Sequence, residues 1–258
     1  MLKSDLTASG ILSLTLASPP ANALSEAMIA AIKSAVENAG DNIRVIVIGA
    51  EGKVFSAGHD IKEMTAHRND PDRGRAYFDK VMTACGEMMQ TVVRSPKPVI
   101  ARVGTLATAA GCQLVASCDL AIASSEARFC TPGVNIGLFC STPMVALSRT
   151  MGRKHALEML LLGDEVSAER AREFGLINEV VPPEDLDRRT MEIAEKIASK
   201  SRHVVKIGKE AFQNQFEMPL DEAYQYCANV MAENMMARDA EEGLAAVLEK
   251  RKPVWEDR

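Results

Sequence analysis

Apolar and polar residues alternate from Met1 to Leu16, and Ile11, Leu12, Leu14 and Leu16 carry the apolar side of a first β-strand that Pro19-Pro20 ends. Ser25 then offers a side-chain oxygen to the free N–H groups of a helix whose buried stripe is Ile29, Ile32 and Val36 and which stops at Gly40. Arg44 to Gly49 reads as a buried, β-branched strand. The unit recurs more loosely as Val54-Phe55-Ser56, a long helix from about Arg73 to Arg94, and a strand Val99-Ile100-Ala101 entered through Pro96 and Pro98. A helix from about Ala109 to Ser117 and a strand Leu120-Ala121-Ile122-Ala123 follow. Strand, turn and helix alternate without a compositional break to about Pro182, which predicts one α/β core over 1–183. From Glu184 the pattern is helical, over Leu186 to Lys200, Val204 to Phe216 and Leu220 to about Lys250. The region 184–258 carries no evident chemistry and is read as a helical region for oligomerisation.

Composition narrows the class. With 258 residues, 47% hydrophobic and 25% charged, the chain can bury a substantial core, which excludes a disordered, collagenous or small disulfide-stapled protein. A net charge of −5, no long basic run and 4% aromatic residues argue against a nucleic-acid partner. No apolar run approaches the roughly 18 residues of a membrane span, so no membrane partner is expected. Cys85, Cys112, Cys118, Cys130, Cys140 and Cys227 show no C-x-x-C spacing and read as free thiols of a reducing compartment. The N-terminus shows neither the apolar block of a signal peptide nor an Arg-rich transit helix, and a cytoplasmic, bacterial location is expected.

Two segments are unusual for core-forming sequence. Phe55-Ser56-Ala57-Gly58-His59-Asp60-Ile61-Lys62-Glu63-Met64 places small residues at a turn between a strand and a helix, where backbone N–H groups are free to face outward. Ala107-Thr108-Ala109-Ala110-Gly111-Cys112-Gln113-Leu114 opens a helix almost without side-chain bulk, so that a ligand atom could approach amides at its positive end. Small residues equally permit tight helix packing.

These two segments stand in order with Asn22-Ala23-Leu24-Ser25, Pro96-Lys97-Pro98-Val99-Ile100-Ala101, Cys118-Asp119-Leu120-Ala121-Ile122-Ala123 and Phe129 to Gly137. Ala156-Leu157-Glu158-Met159, Leu162-Gly163, Gly175-Leu176-Ile177 and Glu249-Lys250-Arg251-Lys252 complete the series. Together they resemble the enoyl-CoA hydratase/isomerase family, or crotonase superfamily, over nearly the whole chain, and within it the domain-containing protein 3 branch. The resemblance implies an α/β crotonase fold, a spiral of β-β-α units whose C-terminal helices build homotrimers or hexamers. It also implies an acyl- or enoyl-CoA thioester as partner, with coenzyme A as part of the substrate and no separate cofactor or metal. By position, the two backbone donors to the thioester oxygen are His59 and Ala110. Such donors, aimed at a developing enolate in a dry site, are worth about 3 kcal/mol each.

The family's pair of catalytic glutamates aligns with Gln113 and Gly133, and neither exchanges a proton near neutral pH. The resemblance therefore implies a lyase or isomerase site that keeps its electrostatic half and lacks its usual acid and base. Ordinary hydration is expected to be absent or very slow. Asp60 and Glu63 are read as solvated or CoA-side groups, and the His59 imidazole as a wall of the site or packing rather than a proton carrier. Cys140 is read as buried filler. Ser141 stands near the place where some relatives carry a nucleophilic Asp, and Asn135 could orient a water or carbonyl. The substrate-binding set is His59, Asp60, Ile61, Lys62, Ala110, Asn135 and Ser141; Lys62, Lys250 and Arg251 are candidates for the CoA phosphates. A non-catalytic acyl-CoA binding module and a purely structural oligomer are the alternatives.

Overall fold

The N-terminal alternation folds as a hairpin, not as one strand. In the computed structural model, which describes residues 1–258, β1 (Leu2–Leu6) pairs antiparallel with β2 (Ile11–Leu16). The reversal comes from Gly10, at φ +83°, whose amide donates to Thr7 O at 3.1 Å; a Cβ there would meet Asn42 O at 2.7 Å. Helix α1 (Glu26–Glu37) is capped by Ser25, which accepts from Met28 N at 3.2 Å, and buries Met28, Ile29, Ile32 and Val36. It leads into β3 (Val45–Ala50), β4 (Val54–Ser56), α2 (Ile61–Ala66) and the long α3 (Arg75–Arg94). Next come β5 (Val99–Val103), β6 (Leu106–Thr108), α4 (Ala110–Ser117), β7 (Leu120–Ser124) and β8 (Arg128–Cys130). Helices α5 (Ser141–Thr150) and α6 (Arg153–Leu162), β9 (Val166–Ser167), α7 (Ala168–Phe174) and β10 (Glu179–Val181) follow.

The strands form two sheets. One has the order β1-β2-β3-β5-β7-β10 and is parallel from β2 onward; the other has the order β4-β6-β8-β9, with β4, β6 and β8 parallel. The larger sheet is buried on both faces, as its β-branched runs require. Leu12, Leu14, Leu16, Ile46, Ile48, Val99 and Ala101 face the main core, whereas Ile11, Val45, Val47, Ile100 and Ile122 meet Leu186, Ala194 and Ala198 of α8 (Leu186–Ala198).

After residue 183 the regular elements are helices: α8, then α9 (Arg202–Gln215), α10 (Leu220–Met235) and α11 (Arg238–Glu249). The single helix expected over 220–250 is divided at Met236-Ala237. The break sets Asp239 into the interior, 1% exposed, where its carboxylate accepts from Ser201 Oγ and from the Glu256 and Asp257 amides. Continuous helix would satisfy the backbone but leave that carboxylate without these donors.

Candidate functional site

Three parallel strands of the smaller sheet end side by side, and each delivers one segment of the site. Ser56 of β4 pairs with Ala107 of β6, and Thr108 of β6 with Cys130 of β8. The chain therefore leaves at adjacent points into Ala57-Gly58-His59, into Ala109-Ala110 and into Thr131-Pro132-Gly133. Ligands of parallel α/β sheets bind at this carboxyl end of the strands.

Backbone contact is closest between the first two segments. Gly58 has φ +81°, and a Cβ on it would stand 2.9 Å from Ala109 Cβ and 3.1 Å from Ala110 N. One residue later, a Cβ on Gly111 would lie 2.5 Å from Ser56 O, so glycine is required at both approaches. Ala109, the N-cap of α4, is held at φ 51° and ψ −119°, a region that residues with a Cβ avoid, while its amide donates to Cys130 O at 2.9 Å. This turn leaves Ala110 as the first residue of α4, where a helix does not use its own N–H. Neither the His59 nor the Ala110 amide donates to a carbonyl in the turns, loops or caps. The His59 loop is braced from behind. Leu24 bridges it and donates to Gly58 O at 2.7 Å, and the buried Asn22 binds Ser18 N, Glu51 O and Val54 O at 2.7–2.8 Å. Asn22 and Leu24 stand out in the sequence only through the family resemblance; their bracing role follows from contacts across the chain.

The interior beyond the donors holds no carboxylate among the aligned positions. Gln113, one turn into α4, is 4% exposed, and its Oε1 has no hydrogen-bond partner. Gly133 is buried in the short 3-10 turn Pro132–Ile136, and its side-chain space is already occupied: a Cβ there would stand 2.9 Å from Cys140 Sγ and 3.1 Å from Leu138 O. Cys140, the N-cap of α5, thus packs into the volume that a longer side chain at residue 133 would need. Burial pushes the Cys140 thiol up, against the opposing Gly133 amide, and also raises Cys112 and Cys130. These thiols stay protonated at neutral pH and are poor nucleophiles. Burial pushes the His59 imidazole down, so it stays neutral, and its Nε2 is also without a partner. No cluster of three or more His, Cys, Asp or Glu residues with metal-binding geometry is present.

The remaining expected site residues divide. Asp60 Oδ1 caps α2, accepting from Lys62 N at 2.8 Å and Glu63 N at 3.2 Å, so its carboxylate holds the helix after the His59 loop. Ile61 and Lys62 are exposed at the start of α2, and Lys62 has no ion-pair partner. Asn135 and Ser141 are exposed beyond Gly133; the Asn135 carboxamide lies against Gly163 at the end of α6. Lys250 is exposed at the C-cap of α11, whereas Arg251 is bound by Glu242 and Glu249. A cavity of about 400 Å³ lies between α1 and α3, lined by Lys33, Glu37, Glu87, Arg94 and Lys97 and by none of the site residues.

The chain and its fold have close counterparts. The family model described as enoyl-CoA hydratase/isomerase matches residues 7–258. The mouse protein called enoyl-CoA hydratase domain-containing protein 3, mitochondrial, is 48% identical over 249 residues, covering 95% of this chain and 81% of its own; the human protein of that name is 49% identical, covering 95% and 80%. Among solved structures, an enoyl-CoA hydratase from Mycobacterium smegmatis superposes with a TM-score of 0.94 at 49% identity over 98% of both chains. Human enoyl Coenzyme A hydratase domain-containing protein 3 superposes at 0.93 with 47% identity, over 98% of this chain and 99% of its own. The mouse, rat and human relatives are designated mitochondrial, which overturns the cytoplasmic expectation. Free thiols mark a reducing compartment, and that property does not single out the cytoplasm. No helix is long and apolar enough to cross a membrane. On sequence and fold together, the chain belongs to the enoyl-CoA hydratase/isomerase family and has its crotonase fold.

Proposed function

We propose that the chain binds an acyl-CoA thioester and polarises its carbonyl between the His59 and Ala110 amides, without hydrating enoyl groups by a carboxylate pair. The observation that carries this reading is the close approach of Gly58 to Ala110, with both neighbouring amides left unused by the fold. Two fixed N–H dipoles aimed at one oxygen stabilise an enolate wherever the proton comes from. The absence of hydration rests on Gln113 and on Gly133, whose side-chain space Cys140 Sγ occupies. Lys62 and Lys250, free of ion pairs, are the cations open to the CoA phosphates, and the exposed apolar residues of α9 to α11 support a homotrimer or hexamer.

Steady-state hydration of crotonyl-CoA tests the reaction. The unaltered protein is expected to show no turnover at an ordinary enzyme rate of about 10 s⁻¹, and turnover at that rate overturns the reading. Restoring the two carboxylates requires space as well as charge: Gly133→Glu needs Cys140→Ala beside it, together with Gln113→Glu. Calorimetry with the same thioester separates the alternatives. Saturable binding without turnover across a panel of thioesters identifies a non-catalytic acyl-CoA module, which the lack of an ionisable pair favours; no affinity for any of them leaves a structural oligomer.

A further inference from the structure

Helix α2 is held in place without apolar packing. None of its six residues is buried, and the 3-10 turn His67–Asn69 that follows it buries none either. An element with no apolar face in the core depends on polar contacts for its position. Those contacts meet at one carboxylate. Glu63 Oε2 accepts from the Glu26 amide at 3.2 Å and from the Tyr77 hydroxyl at 3.2 Å. The Glu26 amide is the first of α1, one that the helix itself leaves unused, and Tyr77 belongs to α3. Burial and then the Glu63 carboxylate push the Tyr77 phenol up to about 12, which keeps it a donor at neutral pH. The Tyr77 ring also stacks on the His67 imidazole at 3.7 Å, so α2 and the turn after it rest on the same side chain. Glu63 thus turns to α1 and α3, not to the solvent or CoA side expected from the sequence.

We infer that Glu63 is a positioning residue for the His59 amide, fixing the direction in which that N–H meets a thioester oxygen. This rests on the thioester reading above. The geometry carries it from both ends of one short segment. Residues 24 to 26 hold the loop before His59, where Leu24 N donates to Gly58 O at 2.7 Å, and again after it, where Glu26 N donates to Glu63. Between these points Asp60 Oδ1 accepts from Lys62 N and Glu63 N, so α2 and the residue after His59 move as one body. A planar peptide unit pinned on one side alone is free to turn about the neighbouring dihedrals, and a hydrogen bond weakens steeply as its angle closes. Removing the Glu63 carboxylate releases the far end of the segment and turns the His59 N–H off the shared oxygen. The core stays folded, since α2 contributes no buried side chain to it.

Infrared difference spectra of butyryl-CoA labelled with carbon-13 at the thioester carbonyl test this, each protein being saturated with the ligand. In the unaltered protein the carbonyl band is expected to move to lower frequency on binding, because two donors draw charge onto the oxygen. In Glu63→Met the displacement is expected to shrink by about half, as one of the two donors is lost. Affinity is expected to fall by about tenfold, the scale of one hydrogen bond, with unchanged far-ultraviolet dichroism. Glu63→Gln, which keeps an acceptor oxygen, is expected to retain most of the displacement. The full displacement persisting in Glu63→Met overturns the inference and leaves the thioester reading standing, and so does a Glu63→Gln protein that behaves as Glu63→Met. No displacement in the unaltered protein overturns both. Tyr77→Phe, which keeps the ring against His67 and removes one of the two hydrogen bonds, decides the matter where Glu63→Met fails to fold or to bind: a smaller displacement supports the inference and an undiminished one overturns it.

Discussion

Ala109 sits in a backbone region that favours glycine, at φ 51° and ψ −119°, directly before the Ala110 amide that opens α4. A residue with a Cβ held there stores about 1–3 kcal/mol of strain, while a glycine loses about 0.5–1 kcal/mol more entropy on folding. Ala109→Gly is therefore expected to stabilise the fold by about 1 kcal/mol, checked by urea denaturation; a loss of stability would show that the Cβ packs more usefully than the strain costs. Gly58 presents the opposite case. Its φ of +81° and its approach to Ala109 and Ala110 leave no room for a methyl group. Gly58→Ala is expected to lower stability by about 1–3 kcal/mol and to abolish acyl-CoA binding by pushing the His59 loop off α4. Retention of both properties would show that the two backbones can part without consequence.

At the scale of elements, the C-terminal helices are tied to the core by a few polar contacts. Lys209 of α9, only 7% exposed at its side chain, donates to Asp119 Oδ2 at 2.6 Å and to Lys97 O at 3.0 Å, and Asp119 also accepts from Val99 N at 2.7 Å. Lys209→Met removes the cation and leaves a largely buried carboxylate; a loss of about 3 kcal/mol is expected, measured by thermal unfolding. The segment after α11 is held by Glu242, which binds the Arg251 guanidinium and the Val254 amide, and by Trp255 Nε1 on Ser199 O. Arg251, followed by the Val254 amide, holds the Glu242 carboxyl at about 2, below its ordinary value of 4.5. A depressed carboxyl supports the fold fully above its unfolded value and loses that support as pH falls. The tail is therefore expected to loosen as pH drops from 4.5 towards about 2. Trp255 is the only tryptophan, so its fluorescence anisotropy reports this, and Glu242→Gln is expected to show the loosened signal already at neutral pH. A signal that changes only together with the far-ultraviolet dichroism would sink the idea of separate release.

For the whole molecule, exposed large apolar side chains gather in two stretches, Ile136 to Leu162 and the C-terminal helices. Phe212, Phe216, Leu220, Tyr224, Met235 and Val247 are all about half exposed or more, and all lie on α9, α10 and α11 or at their ends. An isolated chain has no reason to keep so much apolar surface on one set of helices, and a symmetric assembly buries it. Sedimentation velocity is expected to give three or six times the 27.9 kDa mass of the chain, with Phe212→Glu/Tyr224→Glu shifting it towards a single copy. A single-copy mass for the unaltered protein would overturn the assembly.

Periodicity alone placed β2, α1, β3, α3 and β5 close to their observed bounds, because each buries a regular stripe and is bounded by proline, glycine or a capping serine. The ordered motifs placed the family, since those motifs record backbone paths rather than individual side chains. Short strands such as β6, β8 and β9 carry too few residues for a period to show, so their pairing into the second sheet came only from tertiary structure. The same holds for the division of α10 from α11, where the buried Asp239 of α11 meets donors from Ser201, Glu256 and Asp257 outside the helix. The family resemblance drew attention to Gln113 and Gly133 as positions without an ionisable side chain. That Cys140 fills the space beside Gly133, and that Gln113 is left without a donor where Asn22 is fully supplied, depends on atoms brought together from distant positions. Local pattern encodes what each segment buries, whereas what it meets is settled only when the whole core closes.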